Sequence, residues 1–306
     1  MDIFLQQMVN GLLLGSIYAL VALGYTMVYG ILGLINFAHG DIVMVGAMVT
    51  LSTIGVLEGH LPIGVILLVA CLVAIVVCVL MGLLLERVAY RPLRHAPRLA
   101  PLITAIGVSL LIQYSAALIW GKQYIALPEL FKPSQYVWAG VEINALQIFI
   151  FVLALLIMAS LALFVKHTRL GRAMQATEQN ADSATLMGVN TTGVIALTFA
   201  IGAAIGAVAG VMIDLYYGQA HYFMGFLLGL KAFTAAVLGG IGHIGGAMLG
   251  GLLLGVIESL SAGYIGDLTG GLFGSNYRDV FTFFVLIGVL MLRPSGLLGR
   301  ATTERA

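Results

Sequence analysis

Asp, Glu, Lys and Arg divide this chain into long stretches that contain none of them. A helix that crosses a bilayer takes about 20 residues with few charges. The runs Leu61 to Leu85, Leu99 to Gly121 and Ile143 to Val165 each have the length of one crossing. Ile3 to Gly40 is long enough for one span and a further re-entrant or broken piece, and Ile42 to Leu57 is shorter. Ser183 to Ile213 holds a span from about Thr192. Ala232 to Ile257 is rich in glycine and reads as parts of two segments meeting near Gly242, and Val280 to Leu292 gives a short last span. The pattern predicts an all-α, polytopic membrane protein of about eight transmembrane helices plus a broken or re-entrant segment. A single transmembrane domain over residues 1–306 is expected.

Composition removes the soluble alternative. Charged residues are 9% and hydrophobic residues 61% of the chain, whereas soluble domains carry about 25% charged residues. So few charges cannot cover a water-facing surface, and the lipid bilayer is the main solvent. The net charge of +1 supplies no basic field, so no nucleic-acid partner is expected. Asp2 stands where a signal peptide would want a base, and the apolar stretch after it is too long for a signal core. The first helix is therefore expected to remain as a span. Cys71 and Cys78 lie seven residues apart in one run, about 10 Å on a helix, too far for a disulfide.

Orientation follows the positive charges. Ten of the 14 Lys and Arg residues fall in three segments: Arg87, Arg91, Arg94 and Arg98; Lys166, Arg169 and Arg172; Arg293, Arg300 and Arg305. Two spans separate the first two segments and four the last two, so all three can be cytoplasmic, with the C-terminus among them. The loop 121–142, with Tyr124, Tyr136 and Trp138, is then periplasmic. Counting back three spans puts the N-terminus outside; a re-entrant segment around Asn36 to Leu57 would put it inside. Small residues four apart let helix backbones approach closely. Gly202, Gly206 and Gly210, then Gly242, Gly246 and Gly250, and Gly251 with Gly255 have that spacing. They predict packing within the chain or, alternatively, a subunit interface.

The sequence carries no catalytic signature. Its one Gly-Lys pair, Gly121-Lys122, precedes Gln123, so no phosphate-binding loop for ATP is expected. No spacing suggests a zinc site or a nucleophile elbow, and neither catalytic nor metal residues are assigned. The polar stretch 167–190 predicts a short cytoplasmic helix that Gly188 can stop in a left-handed cap. Intramembrane polar groups default to the interior or a water-filled path. Asn36, His39, Asp41, Lys231, His243 and Glu258 are the candidates for a translocation path. His39 sits at the expected break between two helical pieces, where freed backbone groups and dipole ends can hold a zwitterion. The glycine-rich stretch ending at His243 echoes it as a hint of an internal repeat. The plainer alternative is that these groups cap helix ends and satisfy one another, as Lys231 could do with Glu258.

Four sequence segments carry a resemblance. Asp182-Ser183-Ala184-x-x-x-Gly188 is similar to the coupling loop of ABC importer permeases, without the Ile-x-Leu-Pro that follows it there. The stretch from Leu23 through Asn36-Phe-Ala-His39-Gly-Asp41 is more specific, as are Glu86-Arg87-Val-Ala-Tyr90-Arg-Pro-Leu-Arg94 and Lys231-Ala-Phe-Thr-Ala-Ala-Val-Leu-Gly-Gly-Ile-Gly242. Together they resemble LivH-type high-affinity branched-chain amino acid ABC permeases, over essentially the whole chain. Asp41 stands where Glu is also usual. The resemblance implies a bacterial inner-membrane permease without a cofactor of its own. Its implied partners are a second, LivM-like permease, two cytoplasmic ATPase subunits that bind ATP, and a periplasmic amino-acid-binding protein. It further implies that Glu178, Asp182, Ala184 and Gly188 couple the chain to the ATPase. A permease for urea or short amides, and an ion-coupled secondary transporter, are the alternative readings; the cytoplasmic helix disfavours the second.

Overall fold

The computed structural model describes residues 2–94, 96–97, 99–128, 135–138, 140–293 and 295–299. Arg98, Arg300 and Arg305, counted above among the basic segments, lie outside the described residues. Eight helices among these residues are long and apolar enough to cross a membrane. They include α1 (Asp2–Leu32), α2 (His39–Leu57), α3 (Ile63–Leu85), α4 (Leu99–Trp120) and α5 (Ala145–His167). Two short helices, α6 (Arg169–Gln179) and α7 (Ala181–Leu186), precede α8 (Thr191–Tyr217), and α9 (Met224–Gly239), α10 (Ile244–Leu268) and α11 (Arg278–Leu292) complete the order. The ninth apolar helix, α9, is shorter than a full span.

Two expectations are corrected. The polar stretch 167–190 forms two helices rather than one, because Asn180 takes an extended backbone and its side-chain oxygen accepts the Ser183 N–H at 2.8 Å. The glycine-rich segment expected from Ala232 begins earlier, at Met224, so that Lys231, an intramembrane candidate, lies inside α9. Carboxylate partners make that position tolerable.

The chain forms two compact units, one of residues 1–26, 133–158 and 231–306, the other of residues 27–132 and 159–230. In the second unit α2 is sheathed by α3 and α8. A methyl group at Gly46 would stand 2.9 Å from Ala207 Cα, and one at Gly210 would strike the Val43 carbonyl oxygen. The Gly206 and Gly210 spacing thus serves packing within the chain. The opposite face of α3 turns Leu68, Leu72, Val76, Leu80 and Leu84 outward, each more than half exposed. This i, i+4 stripe of aliphatics suits lipid. At one end of the unit, β1 (Ile125–Ala126) pairs antiparallel with β4 (Gln219–Ala220).

In the first unit α1 and α10 cross on glycine. Methyl groups at Gly11 and Gly15 would meet Val256 and Leu252, and one at Gly251 would strike Ala19. α9 ends at the 240–243 break near the expected Gly242, where Gly240 and Gly242 have positive φ. The C-terminal segment closes that end: Leu297 and Leu298 donate N–H groups to the Leu238 and Gly239 carbonyls, both at 2.9 Å. A hairpin of β2 (Gln135–Trp138) and β3 (Val141–Asn144) precedes α5. Gln6 bonds both the N–H and C=O of Glu142, at 2.9 and 3.1 Å. The start of α1 and the loop before α5 therefore share one end of this unit.

Candidate functional site

The polar connector is built from three capped helices in series. Thr168, Asn180 and Asn190 each accept the N–H three residues on, capping α6, α7 and α8, the arrangement that stabilises helix starts. α6 turns Gly171, Met174 and Thr177 inward and leaves Arg169, Arg172, Gln175 and Glu178 outward. The Glu178 carboxylate reaches the last turn of α1, 3.2 Å from where a methyl on Gly30 would be. In α7, Asp182 is exposed and Ala184 is buried. Gly188 adopts φ +85° and its N–H reaches the Thr185 carbonyl at 3.0 Å, the expected left-handed stop. Leu186 and Met187, which the sequence reading did not single out, are 89% and 85% exposed there. The only signal for them was two apolar residues at the end of a polar helix.

The break between α1 and α2 lies at residues 33–38 and brings Asn36, His39 and Asp41 into the second unit's interior. Gly33, at φ +63°, ends α1 with its N–H on the Tyr29 carbonyl at 2.7 Å. Asn36 Oδ1 accepts the Ala38 N–H at 3.1 Å and the Tyr90 hydroxyl at 3.0 Å, while its backbone carbonyl accepts the His39 N–H. The Tyr90 ring packs on Phe199. Four residues earlier Glu86 pairs with Arg94, which also donates to Thr192 at 3.3 Å. The Glu86-to-Arg94 motif is thus a clamp that holds the break in place. His39 opens α2 with its ring edge against Gly206, 3.5 Å from where a methyl there would be. Asp41 Oδ1 accepts Gln113 Nε2 at 2.9 Å, and Gln113 also donates to Ser109 at 3.0 Å. Asp214 on α8 is likewise buried, with neither carboxylate oxygen hydrogen-bonded. Both Gln113 and Asp214 were visible as polar interruptions of apolar runs.

The remaining candidates belong to the first unit. Glu258 is 1% exposed and holds three partners: Lys231 Nζ at 2.7 Å and Arg278 Nε at 3.3 Å on Oε1, and the Tyr18 hydroxyl at 2.9 Å on Oε2. Lys231 also pairs with Asp279 at 2.8 Å and stands 5.7 Å over the Tyr18 ring. His243 does something different, capping α10 by accepting the Gly246 N–H on Nδ1 at 2.9 Å. Lys231 and Glu258 thus pair with each other, and His243 closes a helix end. Among the described residues no cluster of His, Cys, Asp and Glu could hold a metal ion.

A family model described as branched-chain amino acid transport system / permease component matches residues 7–290. The high-affinity branched-chain amino acid transport system permease protein BraD of Pseudomonas aeruginosa is 48% identical, over 99% of this chain and 98% of its own. The corresponding permease protein LivH of Escherichia coli is 47% identical, over 99% of this chain and 97% of its own. The probable branched-chain amino acid transport permease protein LivM of Methanocaldococcus jannaschii is 29% identical, over 64% of this chain and 59% of its own.

Proposed function

Because this chain belongs to the branched-chain amino acid transport system / permease component family, we propose that it is the membrane-spanning subunit of a binding-protein-dependent ABC importer for branched-chain amino acids. The solute comes from the names of the full-length relatives. ATP is bound and hydrolysed on two separate cytoplasmic subunits, a second permease related to LivM completes the pathway, and a periplasmic amino-acid-binding protein delivers the solute. The chain is itself no enzyme and carries no cofactor.

The observation that carries this reading is the connector. Apolar side chains as exposed as Leu186 and Met187, on a capped helix outside the spans, form a knob suited to a partner's groove. Asp182 beside them and the Gly188 turn fix its shape, and Ala184 anchors it inward. Movement of the knob passes through α6 to Glu178 at the last turn of α1, and from there to the break that bears Asn36, His39 and Asp41. These three residues line the translocation path, whereas Lys231, Glu258 and His243 hold the frame of the first unit. ATP acts by favouring one membrane conformation over the other by binding energy.

The side assignment follows from shared ends. With the basic segments cytoplasmic, the loop 121–142 is periplasmic, and the Gln6–Glu142 contact supports an N-terminus on that side. A crossing by the short α9 would agree with a C-terminus on the cytoplasmic side. The test is reconstitution in proteoliposomes with the ATPase subunits, the second permease and the binding protein, scoring ATP-dependent uptake of labelled leucine. Uptake that needs every component is the expected result. Leucine flux by this chain alone, driven by an ion gradient, would overturn the reading.

A further inference from the structure

Beside the α1–α2 break, α9 begins directly against α2 with no side chain between the two backbones. A methyl at Gly40 would strike the Gly225 carbonyl oxygen and stand 2.7 Å from Gly229 Cα. One at Gly225 would stand 2.7 Å from the Gly40 carbonyl oxygen and 2.9 Å from Asp41 Oδ1. Asp41 is in the first turn of α2 and Gly225 in the first turn of α9. Two helix N-termini, each the positive end of a dipole, therefore meet around one carboxylate.

That carboxylate is incompletely used. Gln113 donates to Oδ1 and the Ser109 hydroxyl stands close by, yet Oδ2 has no partner within hydrogen-bond distance. Asp41 is 1% exposed, and buried polar atoms are ordinarily satisfied. Asn36 Nδ2, also buried, is a donor without a partner on the same short segment. An unmet acceptor thus stands at a seam closed by glycine, and the segment that leads into it carries an unmet donor. Between the glycines, separating such a seam breaks backbone contacts rather than interlocked side chains, which suits a contact that opens in every transport cycle.

We propose that the Gly40–Gly225–Gly229 seam opens during transport and that Asp41 Oδ2 receives the α-ammonium group of the solute, with Asn36 Nδ2 turned to its α-carboxylate. The inference rests on the amino-acid reading above and sharpens it. A neutral amide or urea brings no cation to a buried carboxylate, so the site selects solutes that carry an ammonium group.

The test uses the complete reconstituted transporter. Wild-type leucine uptake is measured first; its absence would remove the amino-acid reading and this proposal with it. Where the wild type transports, Asp41→Asn is expected to lower uptake by roughly tenfold to a hundredfold, the loss of one charge-assisted bond. Asp41→Glu, which keeps the charge, should retain more uptake than Asp41→Asn. Wild-type uptake by Asp41→Asn would overturn the proposal alone, as would equal collapse of uptake and stimulated hydrolysis in both variants. A measurement on the unaltered complex covers a variant that fails to assemble. During turnover an apolar carbodiimide should modify Asp41, detected by mass spectrometry, and leucine should protect it while 4-methylpentanoate, which lacks the ammonium, should not. Equal protection by both compounds, protection by neither, or no modification at all would each overturn it.

Discussion

Replacing Lys231 by Met tests whether the charge cluster of the first unit is a frame. Lys231 Nζ is the nearest cation to Glu258, at 2.7 Å, and the carboxylate it would leave behind is 1% exposed. Breaking one side of a buried pair is destabilising by about 3–5 kcal/mol because the remaining charge is uncompensated. Arg278 Nε at 3.3 Å and the Tyr18 hydroxyl at 2.9 Å stay in place and relieve part of that. Asp279, more than a third exposed, adds little because solvent screens it. The expected loss is therefore near the lower bound, about 3 kcal/mol. Adding Glu258→Gln removes the orphaned charge and keeps an acceptor for Tyr18, so the double variant should lie within about 1.5 kcal/mol of the parent, less than the sum of the singles. Unfolding of the purified complex in mixed micelles measures both. A Lys231→Met protein within about 0.5 kcal/mol of the parent, or a double variant equal to the sum of the singles, would refute the reasoning. Leucine uptake by the double variant at more than half the parent rate would place these residues in the frame rather than the path.

Other outcomes follow from the same geometry. Asn180→Ala removes the acceptor of the Ser183 N–H and should destabilise α7 by about 1 kcal/mol, read as faster amide exchange over residues 181–187. Leu186→Ser with Met187→Ser should reduce co-purification of the ATPase subunits while membrane insertion is unchanged; undiminished capture would refute the docking role. Gly188→Trp forces a bulky residue to φ +85°, about 1–2 kcal/mol of backbone strain. It should weaken solute-stimulated ATP hydrolysis in a complex that still assembles. Gly210→Ala places a methyl against Val43 and 2.8 Å from Ala47 N and should lower stability by about 1–3 kcal/mol. Gly64→Ala, with nothing within 4 Å, should be neutral in the same melting experiment.

The spans were legible in the sequence because lipid imposes a one-dimensional rule: a crossing helix must be apolar over its whole length, and charge marks its ends. That rule located most helices and the breaks near His39 and Gly242, and local backbone chemistry placed the Gly188 stop. Where a charge interrupts the apolar rule, a tertiary partner cancels it. Lys231 is held inside α9 by Glu258 and Asp279, and beyond α3 the chain continues as a π-helix from Glu86 to Tyr90, with Arg94 folded back onto the Glu86 carboxylate. Asn180 divided the connector because its side chain found the Ser183 N–H, a choice that helix propensity alone does not make.

The sequence by itself therefore determined a polytopic helical protein and its polar connector, and offered polar residues inside it as candidates. Only the tertiary structure decided how those residues are used. It gave Glu258 three partners and left Asp41 with an unpaired oxygen beside a glycine seam. It also brought Glu178 beside Gly30 in the last turn of α1. The reason is physical. Hydropathy is a sum along the chain that each residue contributes alone, whereas the state of a buried polar group depends on what stands within about 3 Å of it, and those neighbours come from helices distant in sequence.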